Sequence, residues 1–172
     1  MNVIGAEKVA LWYAIGIRSK YEKKSFEQLR SKGVDAYLPL IEEMHIWSDR
    51  RKKVIEPLFR GYLFVKTDLQ NRIDILQTDG VIRFIGSGNR PTVIPEEQME
   101  WVRTAAGQPS TTKRESYPAL GERVMVVAGA LQGVQGIIIR IKDSYRLVVS
   151  VECICQCFSV DVPPDVVQRV WA

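Results

Sequence analysis

Apolar positions are concentrated in short runs whose period changes along the chain. Leu11-Trp12-Tyr13-Ala14-Ile15-Gly16-Ile17-Arg18 is aromatic, β-branched and partly alternating, which predicts a first strand. The spacing then turns helical. Ser19 stands three residues before Glu22 as a capping box, Phe26, Leu29 and Arg30 carry the next turns, and Gly33 ends the run, so Phe26 and Leu29 are expected to face a sheet. Asp35 to Leu40, interrupted by Pro39, reads as a strand, and residues 41–47 and 53–56 flank Ser48-Asp49-Arg50-Arg51-Lys52 as a hairpin with a basic tip.

Glu56 to Lys66 is a rigid turn running into an apolar strand. Pro57 fixes its own φ, Gly61 permits a backbone geometry closed to other residues, and Tyr62 to Val65 has strong β propensity. A second helix is expected with Asn71 as cap, Asp74 in its first turn, Ile75 and Leu76 inward and Gly80 beyond its end. Val81 to Ile85 reads as a strand, Gly86 to Pro91 as a loop, and Pro95-Glu96-Glu97 opens a third helix with Met99 and Val102 on one face.

The segment 106–119 is small, polar and without apolar period, which predicts a linker. Beyond it Val124-Met125-Val126-Val127, Gly136-Ile137-Ile138-Ile139, Arg146-Leu147-Val148-Val149 and Phe158 to Val162 are β runs punctuated by Gly, Asp and Ser, expected to close into a small barrel. The fold class is therefore α+β: an N-terminal α/β sandwich over 1–105, with an antiparallel sheet flanked by helices, a linker over 106–119, and a β-barrel over 120–172.

Composition narrows the class. With 172 residues and 46% hydrophobic content the chain can bury a globular core, and a formal net charge of +4 favours contact with a polyanion without requiring it. Met1 to Leu11 lack a basic segment followed by an apolar run, and no stretch reaches the length of a membrane span, so a cytosolic, soluble protein with no membrane partner is expected. The three cysteines, crowded at 153, 155 and 157, do not resemble a disulfide framework.

Catalytic readings find little support. His45 has no nearby Ser, Cys or metal-ligand spacing, Gly86-Ser87-Gly88 does not complete a dinucleotide fingerprint, and Glu42-Glu43 and Glu96-Glu97 are not convincing carboxylate dyads. No enzyme, no catalytic residue, no metal and no cofactor is expected. If Cys153, Cys155 and Cys157 share one strand, their thiols lie on one face and would suit a soft metal; if a hairpin turn falls near Ile154 to Gln156, they are split between strands and act as small apolar fillers. Arg50, Arg51, Lys52 and Lys53, with Arg18, Lys20, Lys23 and Lys24, would bind a phosphate backbone or form a solvated face. Phe59 and Tyr62 would line a shallow apolar depression or belong to the core, and spacing alone favours the core.

Trp12-Tyr13 before a capped helix, Pro57-Leu58-Phe59-Arg60-Gly61-Tyr62-Leu63-Phe64-Val65, and Gly80-Val81-Ile82-Arg83-Phe84-Ile85-Gly86 occur in the order found in the N-terminal domain of the NusG family of transcription elongation factors, which this part of the chain resembles. Gly121-Glu122-Arg123-Val124 and the turn Gly129-Ala130-Leu131-Gln132-Gly133-Val134-Gln135-Gly136 resemble that family's SH3-like KOW barrel. The resemblance implies that the first domain docks on the clamp helices of the largest subunit of RNA polymerase through Trp12, Phe59, Arg60, Tyr62, Phe64 and Phe84, which reverses the core reading of Phe59 and Tyr62. It also implies that Arg18, Lys20, Lys23, Arg50, Arg51, Lys52 and Lys53 face upstream or non-template DNA, and that Gly129, Ala130, Leu131 and Gly133 meet a small-subunit ribosomal protein or Rho.

The chain departs from the family pattern at several positions. Arg60 stands where Pro is usual, Ala130-Leu131 replace Pro-Phe, and Asn71-Arg72-Ile73 and Asp79 replace the His-Thr-Thr and an Arg of the RfaH branch. The wording around Phe59 and Tyr62 is nonetheless closer to specialised RfaH-like or UpxY-like paralogues, so a processivity and antitermination factor for long operons is expected; the alternatives are a housekeeping NusG or a KOW-type ribosome- or RNA-binding module. The β-branched C-terminal runs, Gly133, Gly136 and Pro163-Pro164 predict a stable barrel, not a helical hairpin, tumbling independently on its linker.

Overall fold

The computed structural model describes residues 9–46, 51–88, 90–108, 112–115, 122–141 and 144–170. The chain forms two compact units, Met1–Leu38 with Gly61–Glu96, and Pro39–Arg60 with Glu97–Ala172.

In chain order, β1 (Leu11–Ile17), α1 (Glu22–Ser31), β2 (Asp35–Tyr37), the ribbon strands β3 (Leu40–Ile46) and β4 (Arg51–Pro57), and β5 (Tyr62–Thr67) come first. A 3-10 turn over Leu69–Asn71 then leads into α2 (Arg72–Leu76), β6 (Val81–Phe84), the short pair β7 (Gly86–Ser87) and β8 (Arg90–Pro91), β9 (Val93–Ile94) and α3 (Glu96–Ala106). The last strands are β10 (Thr112–Glu115), β11 (Glu122–Val126), β12 (Gln135–Ile141), β13 (Ser144–Val151), β14 (Gln156–Val162) and β15 (Val167–Arg169). Mixed helices and antiparallel sheets give the α+β class, and the C-terminal region is made of strands.

The first unit is an antiparallel sheet in the order β2-β5-β1-β6, with β9 also paired to β1. Its central strands bury both faces, Ile15, Leu63, Phe64 and Val65 being inaccessible, which explains why their sequences read as continuous apolar runs. Gly61 at φ +79 makes the turn into β5, and its N–H donates to the Glu22 carboxylate at 2.9 Å. That bond corrects the expected capping box. Tyr21, not Ser19, is the N-cap residue of α1, no side chain caps that helix, and Glu22 is instead fixed to the β5 turn. Ser25 and Leu29 form the fully buried part of α1 and Phe26 is half-buried. Leu76, expected inward, is 39% exposed because α2 is only five residues long and turns Ile75 alone into the core. The expected loop after β6 contains the β7–β8 pair, where a Cβ on Gly86 would come 2.1 Å from the Arg90 carbonyl.

In the second unit, β3 and β4 form a two-stranded ribbon in register from Leu40 opposite Pro57 to Ile46 opposite Arg51. Residues 47–50, which include Arg50 of the basic tip, lie outside the described residues. The C-terminal strands form one six-stranded antiparallel sheet in the order β10-β14-β13-β12-β11-β15. Its core holds Val124, Val126, Leu147, Val149, Phe158 and Val160, each at most 3% exposed. Part of the expected linker is structured. Thr112–Glu115 pairs with β14, Thr112 is buried, and its hydroxyl donates to the Ala105 carbonyl at 2.7 Å. Thr-Lys-Arg-Glu carries no apolar period of its own; the strand is specified by the ladder that β14 offers it.

Candidate functional site

The register of the first sheet sorts the candidate docking residues by face. Lys66, Phe64 and Tyr62 of β5 lie opposite Trp12, Ala14 and Gly16 of β1, so Trp12, Phe64 and Tyr62 share one face. Trp12 is 2% exposed and Phe64 is inaccessible; Tyr62 is half-buried. The indole N–H of Trp12 points at both carboxylate oxygens of Glu96, 3.1 Å away, and Lys66 donates to the same carboxylate at 2.8 Å while its ammonium stands 5.8 Å from the indole ring. Trp12 and Phe64 are thus fixed support beneath a surface, and Tyr62 is the member of the three that is not fully buried.

Phe84 does not join them. It lies opposite Ile15 on the other face and stands edge-on to Tyr13 with centroids 6.0 Å apart. Its neighbour Arg83, not singled out from the sequence, is on the Tyr62 face, opposite Gly16. Only the register, which shifts between Gly16 and Ile17, decides which of the two points where.

In the second unit the segment after β4 is held from two sides. Phe59 is 1% exposed, and its ring meets Phe158 of β14 edge-on, centroids 6.1 Å apart. Phe59 therefore lines no open depression in this structure, and the core reading that spacing favoured describes it. Arg114 of β10 donates to the Pro57 carbonyl through Nε at 3.2 Å and Nη2 at 2.7 Å, and pairs through Nη1 with Glu43 of β3. Glu43 also receives Arg60 at 3.4 Å and His45 at 3.7 Å. The hydrogen bond from Arg114, joined by the charges of Arg114, Arg60 and His45, holds the Glu43 carboxyl below its ordinary range against the opposing effect of burial. Arg60 itself is exposed and reaches Glu56 as well, at 3.6 Å.

The candidate cations are surface groups. Arg18, Lys20 and Lys23 are exposed around the start of α1, where Arg18 and Lys24 stand 5.3 Å and 5.2 Å from the Tyr21 ring and Lys24 pairs with Asp79 at 2.5 Å. Arg51, Lys52 and Lys53 are exposed on β4, with Lys53 3.2 Å from Glu42. In the turn between β11 and β12, Gly129 and Gly133 adopt φ +84 and +87, Ala130 is exposed, and Leu131 is 6% exposed.

The cysteines follow the hairpin alternative in part: β13 and β14 are joined by a turn over Glu152 to Cys155, but only Cys157 is on a strand. Cys153 lies in the 3-10 turn Glu152–Ile154, Cys155 is exposed at φ +50, and Cys157 is buried on β14 with its thiol 3.2 Å from the Glu115 carbonyl. Burial pushes the Cys153 thiol up to about 11 and that of Cys157 upward, so neither is an activated nucleophile. Among the described residues no group of three His, Cys, Asp or Glu is placed to hold a metal ion, and no helix is long and apolar enough to cross a membrane. A cleft of about 740 Å³ in the first unit is lined by Lys32, Asp35, Lys66, Asp68 and Asp74 among others. Its lysines are already engaged, Lys32 with the Asp74 carbonyl and the Thr78 hydroxyl and Lys66 with Glu96.

Residues 10–103 match the family model described as transcription termination factor NusG. The chain is similar to the transcription termination/antitermination protein NusG of Staphylococcus epidermidis, 25% identical over 183 aligned residues that cover 97% of this chain and 98% of the relative. It is also similar to the protein of the same name from Helicobacter pylori, 29% identical over 130 residues that cover 69% of this chain and 74% of the relative. Its fold is similar to a solved structure of Thermotoga maritima NusG, described for its domain interaction, with a TM-score of 0.62, 19% identity, and 94% of this chain and 98% of the other covered.

Proposed function

Since the chain belongs to the NusG family of transcription termination factors, we propose that it is a transcription elongation and antitermination factor that docks on RNA polymerase through the surface centred on Tyr62. The observation that carries this reading is the arrangement of β1 and β5: Trp12 and Phe64 are buried beneath the face while Tyr62, in line with them, is only half-buried, the pattern of an aromatic anchor on a rigid support. The partner surface is the pair of clamp helices of the polymerase's largest subunit. Phe59 and Arg60 join the contact when Phe158 no longer covers the Phe59 ring. Docking biases the polymerase toward its closed, processive form, a population shift that needs no chemistry from this chain.

Arg18, Lys20, Lys23 and the β4 cations Arg51, Lys52 and Lys53 face upstream or non-template DNA, and the Gly129-to-Gly133 turn meets a small-subunit ribosomal protein or Rho. Among family members, the chain acts as a specialised paralogue for long operons; the wording of residues 56–65 supports that choice. The test is co-purification of the tagged protein with polymerase subunits, in wild type and in Tyr62→Ala. Loss of polymerase from a folded Tyr62→Ala variant is expected. Capture of ribosomes without polymerase would sink the reading in favour of a ribosome-binding module.

A further inference from the structure

Gly16 lies opposite Tyr62 on one side and Arg83 on the other, so Arg83, Gly16 and Tyr62 make one row across a single face of the sheet. A Cβ built on Gly16 would meet Arg83 Cγ at 3.8 Å and Ile85 Cδ1 at 3.5 Å, so the arginine stem lies low beside a bare glycine. Arg83 is exposed, and its guanidinium makes no hydrogen bond or ion pair among the described residues. Arg18 and Lys24 stack near Tyr21, and Lys66 on the same face is committed to Glu96. Arg83 is thus a free cation set in one row with a half-buried tyrosine.

From this row we infer that Arg83 is a contact residue that pairs with an acidic side chain of the protein docking over Tyr62. Its planar fork matches a carboxylate, and Arg and Tyr are the residue types on which protein interfaces concentrate their binding energy. A nucleic-acid backbone is a poorer occupant. Phosphate tracking draws on several cations side by side, and Lys66, a further cation of this face, is already paired with Glu96. The inference rests on the polymerase-docking reading above and adds a charge to it: the docked protein carries an Asp or Glu next to its apolar anchor.

The test measures binding of the full-length protein to purified core RNA polymerase free of nucleic acid, and to an assembled elongation complex. Arg83→Gln is expected to weaken binding about tenfold and Arg83→Glu about a hundredfold, equally on both targets, since a charge-assisted pair is lost and then reversed. Thermal midpoints should not change, because the side chain is exposed. Arg83 variants that bind bare polymerase like wild type, while Tyr62→Ala does not, would overturn the inference and leave the docking reading standing. A loss seen only on DNA-bearing complexes would also overturn it, assigning Arg83 to a phosphate. If Tyr62→Ala and Arg83→Glu both bind normally, the docking reading falls and the inference with it.

Discussion

The ring of Phe59 stands at 68° to that of Phe158, centroids 6.1 Å apart, and each residue is 1% exposed. An edge-on pair of this kind contributes about 0.5–1.5 kcal/mol beyond the area it buries. A ring that the docking reading assigns to a partner is therefore occupied by one from the chain's own C-terminal sheet.

Phe158→Leu, which keeps an apolar side chain but loses the edge-on contact, should lower the thermal midpoint and raise affinity for polymerase by making Phe59 easier to expose. Affinity that stays at the wild-type value in a measurably destabilised variant would show that Phe158 does not gate Phe59.

Glu43 titrates lower in the folded chain than in an unfolded one, with the Arg114 hydrogen bond as the main cause. Its contribution to stability is complete above the ordinary carboxylate range and is lost as pH falls through its folded value. Arg114→Ala should cost about 2 kcal/mol near neutral pH. Urea titrations of wild type and Glu43→Gln at about pH 7 and about pH 3 should converge on acidification; a constant gap between them would contradict the assignment.

Thiol alkylation followed by mass spectrometry should modify Cys155 first, Cys153 later, and Cys157 only on unfolding. Exposure favours Cys155, while burial suppresses the thiolate of the other two. Stoichiometric zinc in the purified protein, lost in a Cys153→Ser, Cys155→Ser, Cys157→Ser variant, would instead demand a metal site.

Replacing Arg51, Lys52 and Lys53 with Gln should weaken association with elongation complexes more at low salt than at high salt, and flatten the dependence of affinity on salt. A salt-independent effect would make these cations part of a solvated turn.

What could be read from the residues was what is determined locally. β1, the Gly61 turn into β5, and the Met99 and Val102 face of α3 follow from periodicity and backbone chemistry over a few neighbours. The misread features each depend on a distant partner. Ser19 and Glu22 have capping-box spacing, yet the Glu22 carboxylate is claimed by a backbone N–H 39 residues away. The four residues of β10 look like linker until β14 is beside them. Phe84 and Arg83 are adjacent in a recognisable motif, and only the shifted β1–β6 register turns the arginine toward Tyr62. Phe59 reads as core from its spacing and as anchor from the family resemblance, and the choice in this structure is made by Phe158, 99 positions further along.

The pairing of β10 with β14 also sets a leash. While Thr112–Glu115 is zipped into the sheet, those four residues add nothing to the reach of the connection between α3 and β11. Peeling the strand away would release about 13 Å of additional reach, at about 3.3 Å per residue. It would also free the Arg114 fork from the Pro57 carbonyl and Glu43 in the same movement. Tether length and the hold on the ribbon are thus governed by four polar residues, and a single Pro at Lys113 or Arg114 would lengthen the one as it cut the other.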